Sequence, residues 1–483
     1  MYFYTNAHAV GNNVLVRGYD NGKQFFKKIL YSPTLYIPTK DLESQYKTLD
    51  NAPVEPKKFQ TIRDAKQFVQ RYQGVNNFDI YGNFRFTHTY LNEEFPGKVV
   101  FDKSLIRVAN IDIEVKSDDG FPSPTDAFAP ITAITLEYNN VFYAISCGDY
   151  TPKDKNVKYL KCKDEKDLIL KFLKLWNKIK PDVVTGWNIT FFDIPYLINR
   201  TTNILGKRVA KTFSPWGLFT DRTTTIMGKT QQLFDIVGIA VLDMLEIYKK
   251  FTQEKRESYK LNYIAHVELN ERKIDYSEYR TLYDLYEKNF EKYIDYNIHD
   301  TRLVQRIDQK GGFIDLVLTA AYDAKVNYSD VFTQIRLWDT IIHNYLLDRK
   351  IVVPQKKKTP KNHPYEGAYV KDPQVGMHEW IVSFDLVSLY PHLHMQYNLS
   401  PETIIEDIHI DKHIKVKDVI GGKVKNDTEY ALAANGYYFD KSKQGFLPEI
   451  IETMFNDRAR AKKKMLQAYK DIESIKKELK KRT

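Results

Sequence analysis

At 483 residues the chain has room for about three domains, and apolar residues at 43% with charged residues at 28% describe an ordinary soluble globular composition. Two cysteines, Cys147 and Cys162, exclude a disulfide framework or a four-cysteine zinc site. No run approaches the roughly 18 apolar residues of a membrane span, and Met1-Tyr-Phe-Tyr lacks a secretion signal's basic-then-apolar pattern, so a reducing cytoplasm without membrane association is expected.

A net charge of +10 and a pI near 9.0 lean toward polyanionic partners, and 34 tyrosines and 27 phenylalanines offer platforms for base stacking. From Met1 to about Pro96 the chain reads as short strands broken by turns, as in Asn12-Asn-Val-Leu-Val-Arg-Gly-Tyr19. From about Gly97 to Lys310, strand-like runs (Ile106 to Val115, Ile131 to Tyr138) alternate with amphipathic helical stretches such as Lys166 to Lys178, the pattern of an α/β domain. A helical stretch from Trp338 to Leu347 precedes a lysine- and proline-bearing connector, Pro354 to Pro364, which marks a domain boundary. Trp380-Ile-Val-Ser-Phe-Asp-Leu-Val-Ser-Leu-Tyr390 reads as a buried strand with one acid. The last segment, from about Pro448, is a long helix with apolar residues at Ala461, Met465, Ala468, Ile472, Ile475 and Leu479, a heptad-like seam that needs a packing partner.

Ile111-Asp112-Ile113-Glu114-Val115 sets two carboxylates two residues apart on a strand, so both point to one face. Ionised carboxylates crowded on a buried face repel and lose solvation, which a divalent cation remedies; a face turned to water would need no such remedy. Asp193 lies in an apolar and aromatic segment, Val183 to Leu197, where it either joins such a site or caps the helix that begins near Pro195. Tyr296 and Asp300, four apart on a helix, share a face. Metal-assisted phosphodiester hydrolysis asks for such a set: acids to hold two ions and a hydroxyl to orient the attacking water.

In this order, D-I-E, N-x-x-x-F-D and Y-x-x-x-D resemble the three exonuclease motifs of the DnaQ-like superfamily. Val241 to Phe251, followed by Ser258 to Ile264, is similar to the proofreading domain of family B DNA polymerases. The resemblance implies a 3′→5′ exonuclease in which Asp112, Glu114, Asp193 and Asp300 hold two Mg2+ ions, with Mn2+ as the alternative, and Tyr296 orients the water. Asp243 remains a cap or structural acid.

Ser383-Phe-Asp-Leu-Val-Ser-Leu-Tyr-Pro391 resembles polymerase motif A of the same family, specifically the replicative type of T-even-like phages. There Asp385 and the carbonyl of Leu386 would hold a metal, while Ser388, Leu389 and Tyr390 would line the dNTP, Tyr390 rejecting a 2′-hydroxyl. His392 replaces a serine common in the family. Tyr365-Glu-Gly367 looks like the Y-x-G element that contacts primer DNA, and Arg458 and Lys462, after Gly445-Phe-Leu-Pro448, resemble fingers residues that grip the triphosphate; any basic helix offers similar pairs.

The expected fold is therefore α/β and α+β multidomain: an N-terminal domain (1–96), an RNase H-like exonuclease domain (97–310), an N-terminal return segment (311–353), a partial palm (354–444) and a first fingers helix (445–483). The strings K-x-x-x-N-S-x-Y-G and D-T-D, which carry the rest of a polymerase site, do not occur. The expectation is the N-terminal part of a split or truncated polymerase, acting on primer-template and single-stranded 3′ ends in a host-cell cytoplasm. A C-terminal chain would be its partner, with a sliding clamp reached through that chain. A stand-alone exonuclease and a non-catalytic nucleic-acid-binding module are the rival functions. The segment from Phe219 to Gln232 is expected to be a hairpin that helps separate strands.

Overall fold

Alternating apolar positions and two tight turns build the start of the chain. Tyr2–Val10, Asn13–Asp20 and Lys23–Leu30 form an antiparallel sheet in sequence order. The Asn21-Gly22 turn has positive φ at both residues, 46° and 79°, the conformation that a two-residue hairpin of matching twist demands. A Cβ on Gly18 would come within 2.1 Å of the Phe3 carbonyl oxygen, so the first two strands approach this closely only because residue 18 has no side chain. This computed structural model describes residues 1–76, 78–116, 122–226, 229–354, 371–409 and 416–482. The described chain divides into two compact units, one of residues 1–37 and 56–348, the other of 38–55 and 349–483.

The first unit contains two helices where the sequence reading expects only strands and turns, Ile62–Tyr72 and Phe86–Glu94. Thr61 caps the first by accepting from the Asp64 amide at 3.2 Å, and Ile62, Ala65, Phe68 and Val69 sit at helical spacing against the core. The short strands around them share the same apolar content, and period decides between the two.

A six-stranded sheet follows, in the order Val157–Lys161, Val141–Ser146, Ile131–Tyr138, Val108–Val115, Val183–Gly186, Ala240–Asp243. Ile131–Tyr138 runs antiparallel to both of its neighbours, Val157–Lys161 is parallel to Val141–Ser146, and the last three strands are mutually parallel. This mixed sheet with helices on both faces is the RNase H-like arrangement expected for the domain. Ile111 and Ile113 face the helices Glu165–Ile179 and Asp193–Leu205, packing with Leu168, Phe172, Trp176 and Leu197. Ala133, Phe142 and Ala144 pack on the other face, against Tyr293, Ile294 and Ile298 of the helix Phe290–Gly311. Phe219–Ile226 pairs antiparallel with Lys229–Ile236, so the expected hairpin is formed.

Arg17 ties the N-terminal sheet to the start of Val183–Gly186. It is fully buried, 3.1 Å from Asp182, and donates to the carbonyls of Pro181 and Gly238 at 2.6 and 2.9 Å. Asp182 also accepts from Thr5, Tyr19 and the Arg107 amide at 2.8–3.0 Å, so neither charge is stranded.

In the second unit, Ile351–Val352 pairs parallel with Tyr46–Thr48. A small sheet of Ile404–His409, Tyr437–Phe439 and Ala431–Leu432 accompanies the helices Leu389–Tyr397 and Phe446–Arg482. At 37 residues the latter helix is about 55 Å long. Asn398, Ser400 and Glu402 hold its start: Asn398 accepts from the Gly445 amide at 2.8 Å and Glu402 from the Phe446 amide at 2.6 Å. Its expected apolar seam is present as a stripe, with Met465, Ile472, Ile475 and Leu479 all exposed. Residues 380–387 differ from the expected buried strand. They form no regular element, and Trp380 and Phe384 are 96% and 90% exposed. A strand needs a ladder partner for its amides and carbonyls, and no described strand lies beside this run. Among the described residues no helix is long and apolar enough to cross a membrane.

Candidate functional site

Period two along Val108–Val115 turns Asn110, Asp112 and Glu114 away from the apolar face and toward the helix Phe290–Gly311. Asn110 donates to the Thr301 carbonyl at 2.8 Å, and Asn297 donates to Asp112 at 2.6 Å while accepting from Thr135 at 2.5 Å. These bonds seat the helix on the strand and bring Asp300, one turn beyond Tyr296, over the two acids. Oxygens of Asp112, Glu114 and Asp300 lie within 4.8 Å of one another. Asp193 arrives from the neighbouring helix, where it is the first residue, and accepts from the Ile113 amide at 3.0 Å, between the two strand acids.

Electrostatics at this cluster are unfavourable without a cation. Burial, then the charges of Glu114, Asp300 and Asp193, hold the Asp112 carboxyl well above its ordinary range. Burial and the charge of Asp300 push Glu114 up to about 8. Asp193 rises to about 7, mainly by burial, against the pull of the Ile113 amide. Asp300 is raised by burial even though the Lys273 ammonium touches it. Lys273 also donates to the Tyr296 hydroxyl at 3.1 Å, and the neighbouring acids outweigh its own burial, holding it charged. Lys273 thus faces a crowd of carboxyls that it cannot neutralise. The second oxygen of Asp300 is buried and makes no hydrogen bond.

The donor set fits a hard divalent cation. Carboxylate oxygens are its preferred ligands, the unpartnered Asp300 oxygen is a lone pair in want of one, and the repulsion that raises these acids would be relieved by it. Asp112, Glu114 and Asp300 would hold such an ion, with Asp193 at the edge of the cluster.

Asp243 is buried and caps two elements at once. Its oxygens accept from the amides of Asn188 and Thr190, both at 2.9 Å, and from Leu245 at 3.0 Å. It therefore fixes the loop that leads into Asp193 and stands outside the acid cluster, in keeping with a cap or structural acid. Sequence reasoning missed Lys273 and Asn297. Lys273 follows Asn270-Glu-Arg in a segment without periodic pattern, so no local signal marks it. Asn297 was within reach: it follows Tyr296 and precedes Asp300 by three, on the same helical face.

The second set of expected residues is placed differently. Asp385, Leu386 and Tyr390 are exposed. Ser388 has φ +54° and stands immediately before the helix Leu389–Tyr397. His392 bonds the Ser388 carbonyl at 3.0 Å and meets the Phe455 ring edge-on at 5.0 Å. Arg458 and Lys462 lie exposed on the long helix, three residues and seven residues beyond Phe455. No oxygen cluster forms around Asp385 among the described residues. Tyr365 and Gly367 lie outside the described residues.

Two segments of the chain match known protein families. The exonuclease domain of DNA polymerase family B matches residues 61–264, and the DNA polymerase family B domain matches residues 330–480. The DNA-directed DNA polymerase of Enterobacteria phage T4 is 35% identical over 98% of this chain and 55% of its own length. That of Escherichia phage RB69 is 34% identical over 99% of this chain and 55% of its own. The DNA polymerase delta catalytic subunit of Schizosaccharomyces pombe is 28% identical over 74% of this chain and 34% of its own length. The chain thus spans about half the length of the phage relatives it matches.

Proposed function

We propose, for a chain that belongs to DNA polymerase family B, that it removes nucleotides from the 3′ ends of DNA by metal-assisted hydrolysis at Asp112, Glu114, Asp193 and Asp300. The observation that carries this is the convergence of three carboxylates within 4.8 Å, one of them with a buried, unpartnered oxygen. Two Mg2+ ions, or Mn2+ in their place, would supply an activated water and stabilise the leaving oxygen. Asp112, Glu114 and Asp300 present oxygens to that charge, and the Ile113 amide fixes Asp193 beside them. The Tyr296 hydroxyl, aimed by Lys273, orients the water, and Asn297 holds Asp112 in its rotamer. Such chemistry favours a frayed single-stranded terminus, because the reacting end has to leave its partner strand. The hairpin from Phe219 to Ile236 is the candidate for separating strands.

The test uses 3′-labelled single-stranded DNA with Mg2+. The chain should release labelled mononucleotide, and Asp112→Ala/Glu114→Ala should abolish release. Undiminished degradation by that variant would refute the ligand set. A non-catalytic binding module would show no Mg2+-dependent release at all.

For the second segment we propose a polymerase role, supported by the family match over residues 330–480 and the name of the phage relatives, DNA-directed DNA polymerase. Asp385 and the Leu386 carbonyl would hold metal, Ser388, Leu389 and Tyr390 the dNTP, Arg458 and Lys462 its triphosphate, and Tyr365 and Gly367 the primer DNA. The division into N-terminal domain, exonuclease, return segment, palm and fingers belongs to the same reading. Primer extension needs more than one palm carboxylate. The acids of a D-T-D string do not occur in these 483 residues. They would have to come from further sequence or from a second, C-terminal chain, through which a sliding clamp would also be reached. The exposed stripe of Met465, Ile472 and Ile475 supports a packing partner for the long helix. Co-expression with a chain bearing D-T-D, followed by primer extension in a cytoplasm-like buffer, tests the split reading. Extension by the 483 residues alone would overturn it.

A further inference from the structure

On the first unit, away from the acid cluster, a cavity of about 500 Å³ is lined by Phe26, Asn177, Lys180, Arg208, Lys211 and Pro215, among others. Three features set it apart. Its charged lining residues are all cations, with no carboxylate among the residues around it. Lys180, Arg208 and Lys211 are exposed, and none enters an ion pair among the described residues. Arg200 and Arg256 in the same unit are neutralised by Glu165 and Glu268, whereas these three cations share one concavity without a carboxylate in its lining.

The aromatic wall is the second feature. Phe26 is 38% exposed yet held in place: the Arg17 guanidinium lies 5.2 Å from its ring centroid and the Trp216 ring meets it edge-on at 5.9 Å. An exposed phenylalanine fixed in this way is a ready stacking surface, and Lys180 Nζ stands 6.0 Å from its centroid. Third, the cavity is remote from the acids. Asp193 begins a 13-residue helix, and Arg208 and Lys211 follow the other end of it, roughly 20 Å away along the axis. Likewise Lys180 precedes Val183–Gly186, whereas the loop after that strand leads to Asp193.

Cations for a phosphate chain beside a flat ring for a base is the pairing by which single-stranded nucleic acid is held without regard to sequence. A duplex offers phosphates but no free base face, whereas every residue of a single strand brings a phosphate and a stacking ring together. We propose that this cavity is a second DNA-binding site, in which Lys180, Arg208 and Lys211 contact the phosphates of a single strand and Phe26 stacks beneath one of its bases. The strand would be held here while its 3′ end, or a strand separated from it, occupies the acid cluster. The inference does not depend on the acids being catalytic.

The experiment compares fluorescein-labelled oligothymidylates of about 4 and about 20 nucleotides, in EDTA to prevent cleavage, by anisotropy. The short strand can fill only one site and the long one can span both. Lys180→Ala/Arg208→Ala/Lys211→Ala should weaken both strands, the long one by about tenfold or more near 0.1 M salt. The dependence of log K on log salt should shallow by about 2, from three lost phosphate contacts. Phe26→Ala should weaken the long strand by at least about fivefold. Unchanged long-strand affinity and slope in these variants would overturn the site. In the unsubstituted protein, a long strand carrying 5-iododeoxyuridine should photocrosslink to the peptide that contains Phe26. Absence of that adduct counts against the proposal even if a variant misfolds. Failure of Mg2+-dependent cleavage would instead count against the exonuclease reading and leave these binding results standing.

Discussion

Neutralising one acid of the cluster should stabilise the metal-free protein at alkaline pH. Glu114 rises from an ordinary value of 4.5 to about 8 through burial and the charge of Asp300. A carboxyl whose folded pKa is raised contributes stability below its unfolded pKa and loses it as pH climbs through the folded value, here from about 4.5 to about 8. At 1.36 kcal/mol per unit the full shift is worth about 5 kcal/mol. The side chain is only half-buried, and solvent screening reduces that to roughly 2 kcal/mol. Glu114→Gln removes the titration. In EDTA, the variant should therefore gain about 2 kcal/mol on the unsubstituted protein between pH 5 and pH 8, or roughly 4–8 °C in Tm. Taking the difference between the two proteins cancels groups that do not interact with Glu114, such as Glu137, raised to about 7 by burial. Mg2+ at pH 8 should stabilise the unsubstituted protein and leave Glu114→Gln much less affected. Thermal melts followed by tryptophan fluorescence read both effects. A difference that stays flat from pH 5 to pH 8 would refute the claim that repulsion in this cluster is stored in the fold.

Other substitutions probe separate parts of the chain. Lys273→Ala removes the cation that faces Asp300 and aims Tyr296; exonuclease turnover should fall at least about tenfold, Lys273→Arg should restore part of it, and urea melts should show a loss of about 1–3 kcal/mol. Arg17→Met strands the fully buried Asp182 and should cost about 3–5 kcal/mol, read as a lower Tm. Gly445→Ala would place a Cβ 2.4 Å from the Ser400 Cβ. It should loosen the start of the long helix by about 1–3 kcal/mol, seen as faster proteolysis between residues 398 and 446 with 3′-end hydrolysis unchanged.

The acid cluster was legible in the sequence to the extent that it depends on period. Alternation along Ile111 to Val115 gives the shared face of Asp112 and Glu114, and helical spacing gives that of Tyr296 and Asp300. How those two faces meet is a tertiary fact, made by Asn110 and Asn297 bridging strand and helix. Lys273 comes from a stretch with no period and so left no trace. The helices at 62–72 and 86–94 show the opposite failure: the cap at Thr61 and the apolar spacing after it are readable, but short apolar runs in that region fit a strand equally well. At Trp380 to Tyr390 the apolar content fits a strand, yet composition carries no information about whether a neighbouring strand exists to pair with it.

The two acidic segments differ in what holds them. Asp112 and Glu114 belong to a paired central strand, flanked on one side by Ile131–Tyr138 and on the other by Val183–Gly186, so their backbone cannot relax away from the crowding. Asp300 is likewise fixed by a 22-residue helix. Repulsion among them is therefore held in place by the surrounding packing, and binding of a cation can release it without reorganising the chain. That is the physical basis of a preorganised metal site. Asp385 has no such frame among the described residues: its run forms no regular element, is exposed, and meets no other acid that could share an ion. Divalent cations should consequently bind the first cluster much more tightly than Asp385, and Mn2+ relaxation enhancement of protein resonances should centre on Ile113 well before any effect reaches Leu386. Equal broadening at both positions from the first additions would contradict the role assigned to the strand and helix scaffold.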